Sequence, residues 1–122
     1  MSTFAFQFEF PCLADPEKRA AAELLLLKCG VRSKYKGFTY LADAALVYAD
    51  GWQDTFGGIY DVVARFRGIS VKSMFRDLSY AVDNSFELGA RLAELSGANY
   101  YGEPIKPSTA VAIIGRYLSR GA

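Results

Sequence analysis

Between residues 55 and 88, apolar side chains recur three and four positions apart in two runs, and only Arg67, Gly68, Ile69 and Ser70 separate them. The first run carries Ile59, Val62, Val63 and Phe66, and the second Met74, Leu78, Ala81, Val82 and Phe86. Side chains at that spacing line one face of a helix, so each run predicts an amphipathic helix with a stripe to bury. Two such helices on so short a link must form a corner and share a core. Gly68 supplies the backbone freedom that a tight corner needs, and Ser70 is a good N-cap for the second helix. The expected spans are about 55–66, capped by Asp54 or Thr55 and weakened in its first turn by Gly57 and Gly58, and 71–88.

Most of the remaining chain reads in the same period. Asp15 stands at an N-cap, Pro16 at the first helical position and Glu17 near the positive helix end, which predicts a helix as far as Cys29 with Gly30 as its stop. Leu41, Ala45, Leu46 and Tyr48 mark a helix over 38–49 that Asp50 and Gly51 break. A short helix fits 90–96, the stretch 97–107 reads as a loop, and Ser108 caps a last helix over 109–119. Residues 3–10 depart from this pattern. Phe4, Phe6, Phe8 and Phe10 alternate with Thr3, Ala5, Gln7 and Glu9, the signature of a half-buried strand, and Pro11 ends it.

The expected fold is therefore mainly α. It is a five- to six-helix domain over 15–122 that contains a helix-turn-helix, preceded by one N-terminal β-strand and its link over 1–14. A lone strand leaves its backbone donors and acceptors unpaired. Phe4 to Phe10 can pair with the same strand of a second copy to make a homodimer, dock on another protein, or cover the domain's own core.

Composition narrows the function. The 52% of hydrophobic and 15% of aromatic residues in 122 suffice for one core. Lys and Arg number 14 against 13 Asp and Glu, so a case for nucleic acid must rest on local charge. Lys28, Arg32, Lys34 and Lys36 give such a cluster, with no acid among them. The chain has no His, which removes the usual general base and the commonest metal ligand. Cys12 and Cys29 lack zinc-site spacing and read as buried, inert thiols. With no nucleophile beside a base and no phosphate-cradling loop, the chain reads as a non-enzyme without catalytic residues, metal or cofactor. It has neither a secretory-type start nor an apolar run of about 18 residues, so the expectation is a cytoplasmic protein with no membrane contact.

Residues 35–50, YKGFTYLADAALVYAD, resemble the lysine-glycine-aromatic, tyrosine-leucine segment in the C-terminal effector domain of the sporulation-initiation response regulator, the stage zero sporulation protein A family. IYDVVARF (59–66) is similar to the first helix of that family's helix-turn-helix, MFRDLSYAVD (74–83) to its recognition helix, and KPSTAVAIIGRYL (106–118) to its closing lysine-proline segment and helix. Order and spacing agree over about 20–119. The resemblance implies a transcription regulator that dimerises and places its recognition helix, here about 71–88, in the major groove of double-stranded DNA. The family's receiver domain, which controls dimerisation through phosphorylation, has no counterpart in this sequence. The resemblance thus implies an effector domain released from that control, or controlled in another way.

Residue by residue, Arg76 falls on the arginine of the family's glutamate-arginine pair, and arginine can grip guanine O6 and N7 together. Phe75 stands in place of the glutamate, and Ser79 and Tyr80 in place of an arginine and a histidine, so the family's target sequence does not carry over. Ser70 and Lys72 at the helix start, Arg65 and Arg67 beside the turn, and Lys106 before the last helix are the expected phosphate contacts. Phe75 and Tyr80 on an outer face also suit an alternative, a protein-interaction or dimerisation module that keeps the fold and has lost specific DNA readout.

Overall fold

The computed structural model describes residues 11–51, 56–97 and 105–120, so the expected strand from Phe4 to Phe10 lies outside the described residues. After a 3-10 turn at Pro11–Leu13 come six helices: α1 (Pro16–Lys28), α2 (Lys36–Ala49), α3 (Phe56–Arg67), α4 (Val71–Asp83), α5 (Leu88–Ser96) and α6 (Pro107–Ser119). The described residues are mainly helical, as expected.

Local chemistry sets the ends. The Asp15 carboxylate accepts the N–H groups of Glu17 at 2.9 Å and Lys18 at 3.2 Å, satisfying donors that the first turn leaves open. At the other end of α1, Gly30 takes a φ of +83°. Its N–H donates to the Leu27 carbonyl and that of Val31 to the Leu26 carbonyl, each at 3.0 Å, the paired bonds of a Schellman stop. The same stop closes α3. Gly68, with φ +69°, donates to the Arg65 carbonyl at 3.1 Å and Ile69 to that of Ala64 at 3.0 Å. Ser70 then caps α4, its hydroxyl accepting the Ser73 N–H at 3.1 Å. Three residues thus suffice to reverse the chain between α3 and α4.

Helix α2 forms the axis of the fold and is buried without interruption from Leu41 to Tyr48. Helices α1, α3, α4 and α6 all pack on it, while α5 leans on α6. Two glycines set the closest approaches. A Cβ at Gly37 would lie 2.1 Å from the Asp77 carbonyl oxygen and 2.8 Å from the Ala81 Cβ, so the first turn of α2 rests on the backbone of α4. A Cβ at Gly115 would lie 2.6 Å from the Tyr48 ring, so α6 lies flat on that ring, and Arg116 Nε donates to the Tyr48 hydroxyl at 3.2 Å.

Within the buried run of α2 sits a charge, Asp43, with a fully buried side chain. Arg67 holds its carboxylate with two bonds, Nε to Oδ2 at 2.7 Å and Nη2 to Oδ1 at 2.9 Å. Arg19 Nη2 donates to Oδ1 at 2.6 Å and to the Leu13 carbonyl at 3.0 Å. One carboxylate therefore ties the 3-10 turn, α1, α2 and α3 together. The hydrogen bond to Asp43 also holds the Arg67 guanidinium above its ordinary pKa, against the opposing effect of burial.

Three expectations are corrected. Helix α4 ends at Asp83 and not near 88, because polar side chains take over its last carbonyls: Asn84 Nδ2 donates to the Tyr80 carbonyl at 2.8 Å and Ser85 Oγ to that of Ala81 at 2.6 Å. Phe86 consequently falls on the bend before α5 and is 88% exposed instead of buried. Helix α6 begins at Pro107, which has no N–H to leave unpaired at a first helical position, so Ser108 lies inside the helix and is not its cap.

Replacing Asp43 by Ala strands two guanidinium groups around an apolar site. Since both arginines keep some access to water, the loss is expected near the lower end of the range for broken buried pairs, about 3 kcal/mol, read from denaturant unfolding. Gly115→Ala should also lower the unfolding midpoint, because the Tyr48 ring is buried, stacks on Phe56 at 6.0 Å and can yield little.

Candidate nucleic-acid interface

With Met74, Leu78, Ala81 and Val82 turned into the core, helical geometry leaves Lys72, Arg76, Tyr80 and Asp83 on the outward side of α4. The Arg76 side chain is 73% exposed, and its nearest acid is the neighbouring Asp77 at 3.5 Å, a contact that solvent screens strongly. Lys72 is exposed and makes no ion pair with a described residue.

Aromatic contacts flank this face. The Phe75 ring lies 5.0 Å from Tyr60 of α3, centroid to centroid. On the other shoulder Tyr80 meets Tyr35 edge-on at 5.3 Å, and Lys34 Nζ stands 5.3 Å from the Tyr35 ring. Tyr35 belongs to the link between α1 and α2, so this contact brings the cationic link to the side of α4.

The other expected residues distribute differently. Ser70 is engaged in capping α4, and Ser79 keeps its hydroxyl oxygen buried and, among the described residues, unpartnered, not turned outward as expected of a base-reading position. Arg65 is exposed and paired at 3.1 Å with Asp61 one turn earlier. Arg67 points the other way, with two of its nitrogens on Asp43. Lys106 is exposed at the start of α6, beside Ile105, which packs against Gly89 of α5. The structure thus gathers Lys72, Arg76 and Tyr80, with Phe75 at the edge, and leaves Ser79 and Arg67 out of that surface.

Sequence reasoning missed the roles of Asp43, Arg19 and Tyr35. A signal for Asp43 was available, since it is the one charge in the run Leu41 to Tyr48. An acid flanked by small apolar residues in such a run needs a buried partner.

Cys12 and Cys29 are free, buried thiols. Burial, with a contribution from the Asp50 charge, pushes Cys12 up to about 11, and burial also raises Cys29. Neither is poised as a nucleophile. A cleft of about 490 Å³ between α1, α5 and α6 exposes Lys28, Arg91 and Glu94 beside Leu24 and Tyr117. Among the described residues no three His, Cys, Asp or Glu side chains converge to hold a metal, and no helix is long and apolar enough to cross a membrane.

No family model, curated protein or solved structure matches this chain.

Burial also pushes Tyr60 up to about 12, and its hydroxyl has no hydrogen-bond partner among the described residues. Removing that hydroxyl relieves an unpaired buried polar group, so Tyr60→Phe should unfold at a higher temperature than the wild type. For Cys12, Cys29 and Tyr60 alike, the pKa is raised in the folded state, so the unfolded chain releases these protons first. Their linked stability is fully present below about pH 9 and is lost as pH rises toward 11 and 12, which denaturant titrations across that range will show as a falling midpoint.

Proposed function

We propose that this chain is a DNA-binding transcription regulator resembling the effector domain of the sporulation-initiation regulator. In this reading α3, the Gly68–Ser70 turn and α4 act as a helix-turn-helix, with α4 in the major groove. The observation that carries it is the outward face of α4, where Lys72 and Arg76 stand exposed behind a three-residue turn and opposite a buried stripe. A helix presented this way can enter a groove of about 12 Å with its first turns at the base edges. Arg76 is the base-reading residue. Lys72 and Arg65 meet phosphates, Ser70 holds the helix start, and Arg67 acts indirectly by anchoring the corner to Asp43. Two copies binding together would place two such helices on one symmetric target in the cytoplasm.

A second reading has an observation of its own. Phe75, Tyr80 and Phe86 are exposed along α4 and the bend after it, Tyr80 to 56%. Aromatic groups in such numbers suit a protein-contact surface without base readout.

Selection of duplexes from a random pool at low salt separates the two. The DNA reading expects recovery of a preferred sequence and a loss of about 5- to 150-fold in affinity on Arg76→Ala, the worth of one bidentate base contact of about 1–3 kcal/mol. Absence of binding to any duplex, together with a protein partner lost on Phe75→Ala, would establish the second reading instead.

A further inference from the structure

The link between α1 and α2 is the other cationic feature of the molecule, and its place beside α4 gives it a use. We infer that this link is a second arm of the DNA-contacting surface, gripping the phosphodiester backbone that walls the groove in which α4 lies. The inference rests on the major-groove reading of α4 and deepens it.

The geometry is a sequence of contacts, made by the end of α1, the link and the first turn of α2, that runs antiparallel along the C-terminal half of α4 and into the bend before α5. Gly37 sits on the Asp77 carbonyl and Ala81, Tyr35 meets Tyr80, and Gly30 lies against Glu87, whose Cβ is 3.1 Å from where a Gly30 Cβ would be. The link is therefore seated along the flank of α4. Its exposed cations are Arg32 and Lys34, joined by Lys36 at the first position of α2, and none pairs with an acid among the described residues. The acids on that flank are Asp77, which faces Arg76 at 3.5 Å, Asp83 at the end of α4 and Glu87 beyond it, and among the described residues none of them forms an ion pair with the three cations.

Lateral distance decides what these cations can meet. Packed backbones lie about 8–10 Å apart, and the major groove is about 12 Å wide. Groups displaced by one element from a helix inside the groove thus face its phosphate wall and not the base edges. The link is also held in shape: Tyr35 donates its N–H to the Arg32 carbonyl at 3.3 Å, the Phe38 N–H donates to the Tyr35 carbonyl at 3.0 Å, and the Tyr35 ring abuts Tyr80 while carrying Lys34. Three unpaired cations on a braced segment, facing a wall of phosphates, make a contact that contributes affinity irrespective of sequence.

The test compares the full chain, the triple variant R32Q/K34Q/K36Q and R76A on a selected duplex and on an unrelated one, from about 50 to 200 mM salt. All four side chains are exposed, and thermal melts monitored by circular dichroism check that folding is intact. The triple variant should lose affinity for both duplexes alike and flatten the plot of log Kd against log salt by about two to three, roughly 0.9 per phosphate contact removed. R76A should instead reduce the preference for the selected duplex. If the triple variant keeps the wild-type slope while R76A loses preference, the link arm is overturned and the α4 reading stands. If the wild type binds neither duplex at low salt, the α4 reading falls and takes the link arm with it.

Discussion

A carboxylate withdrawn from water in the middle of α2 dictates much of how this molecule is put together. An ion of that size loses several kcal/mol of hydration on burial, and the fold is tenable only because two guanidinium groups replace the lost water. Arg19 comes from α1 and Arg67 from the last position of α3, so the requirement of one side chain draws two helices onto a third. Such clusters specify geometry more than they add stability, since apolar residues of equal volume could fill the same space. Arg19 Nη1 is buried without a hydrogen-bond partner among the described residues, which indicates that the cluster is not optimal even here. What it does determine is the place of the corner: Gly68 follows Arg67 directly, so the turn into α4 begins at the anchored residue.

Much of the helical order was legible because the signals were local. Asp15 with Pro16, Gly30, Gly68 and Ser70 each act on backbone groups within a few residues of themselves, and each ends or starts a helix where the sequence indicates. The misplaced end of α4 and the misplaced burial of Phe86 share one cause. Phe86 extends the apolar stripe of α4 in sequence, but the side-chain bonds from Asn84 and Ser85 end the helix before it. Periodicity records what a helix would bury and says nothing about competitors for its last carbonyls.

The candidate interface was less legible. Its exposed members, Lys72, Arg76 and Tyr80, follow from which side of α4 is apolar, and that side is readable. Arg67 was misassigned because the partner that claims it lies 24 residues away, in a run, Leu41 to Tyr48, that is otherwise apolar. Ser79 lies on a shoulder of α4 whose burial depends on neighbours that the α4 sequence does not contain. Tyr35 escaped notice for a similar reason, since its meaning is the contact with Tyr80 45 positions later.

The missing side chain at Gly37 has a consequence for how the molecule can move. Because the first turn of α2 sits at Gly37 directly on the α4 backbone and the Ala81 methyl, the two elements cannot slide past one another there without losing van der Waals contact. The link that leads into α2 is therefore phased to α4 before any partner arrives. A surface built that way pays little ordering entropy on association, but it has equally little capacity to adapt. A partner whose two contact strips are spaced differently must deform itself to fit, so the selectivity of such a surface extends to the shape and stiffness of what it meets as well as to its chemistry.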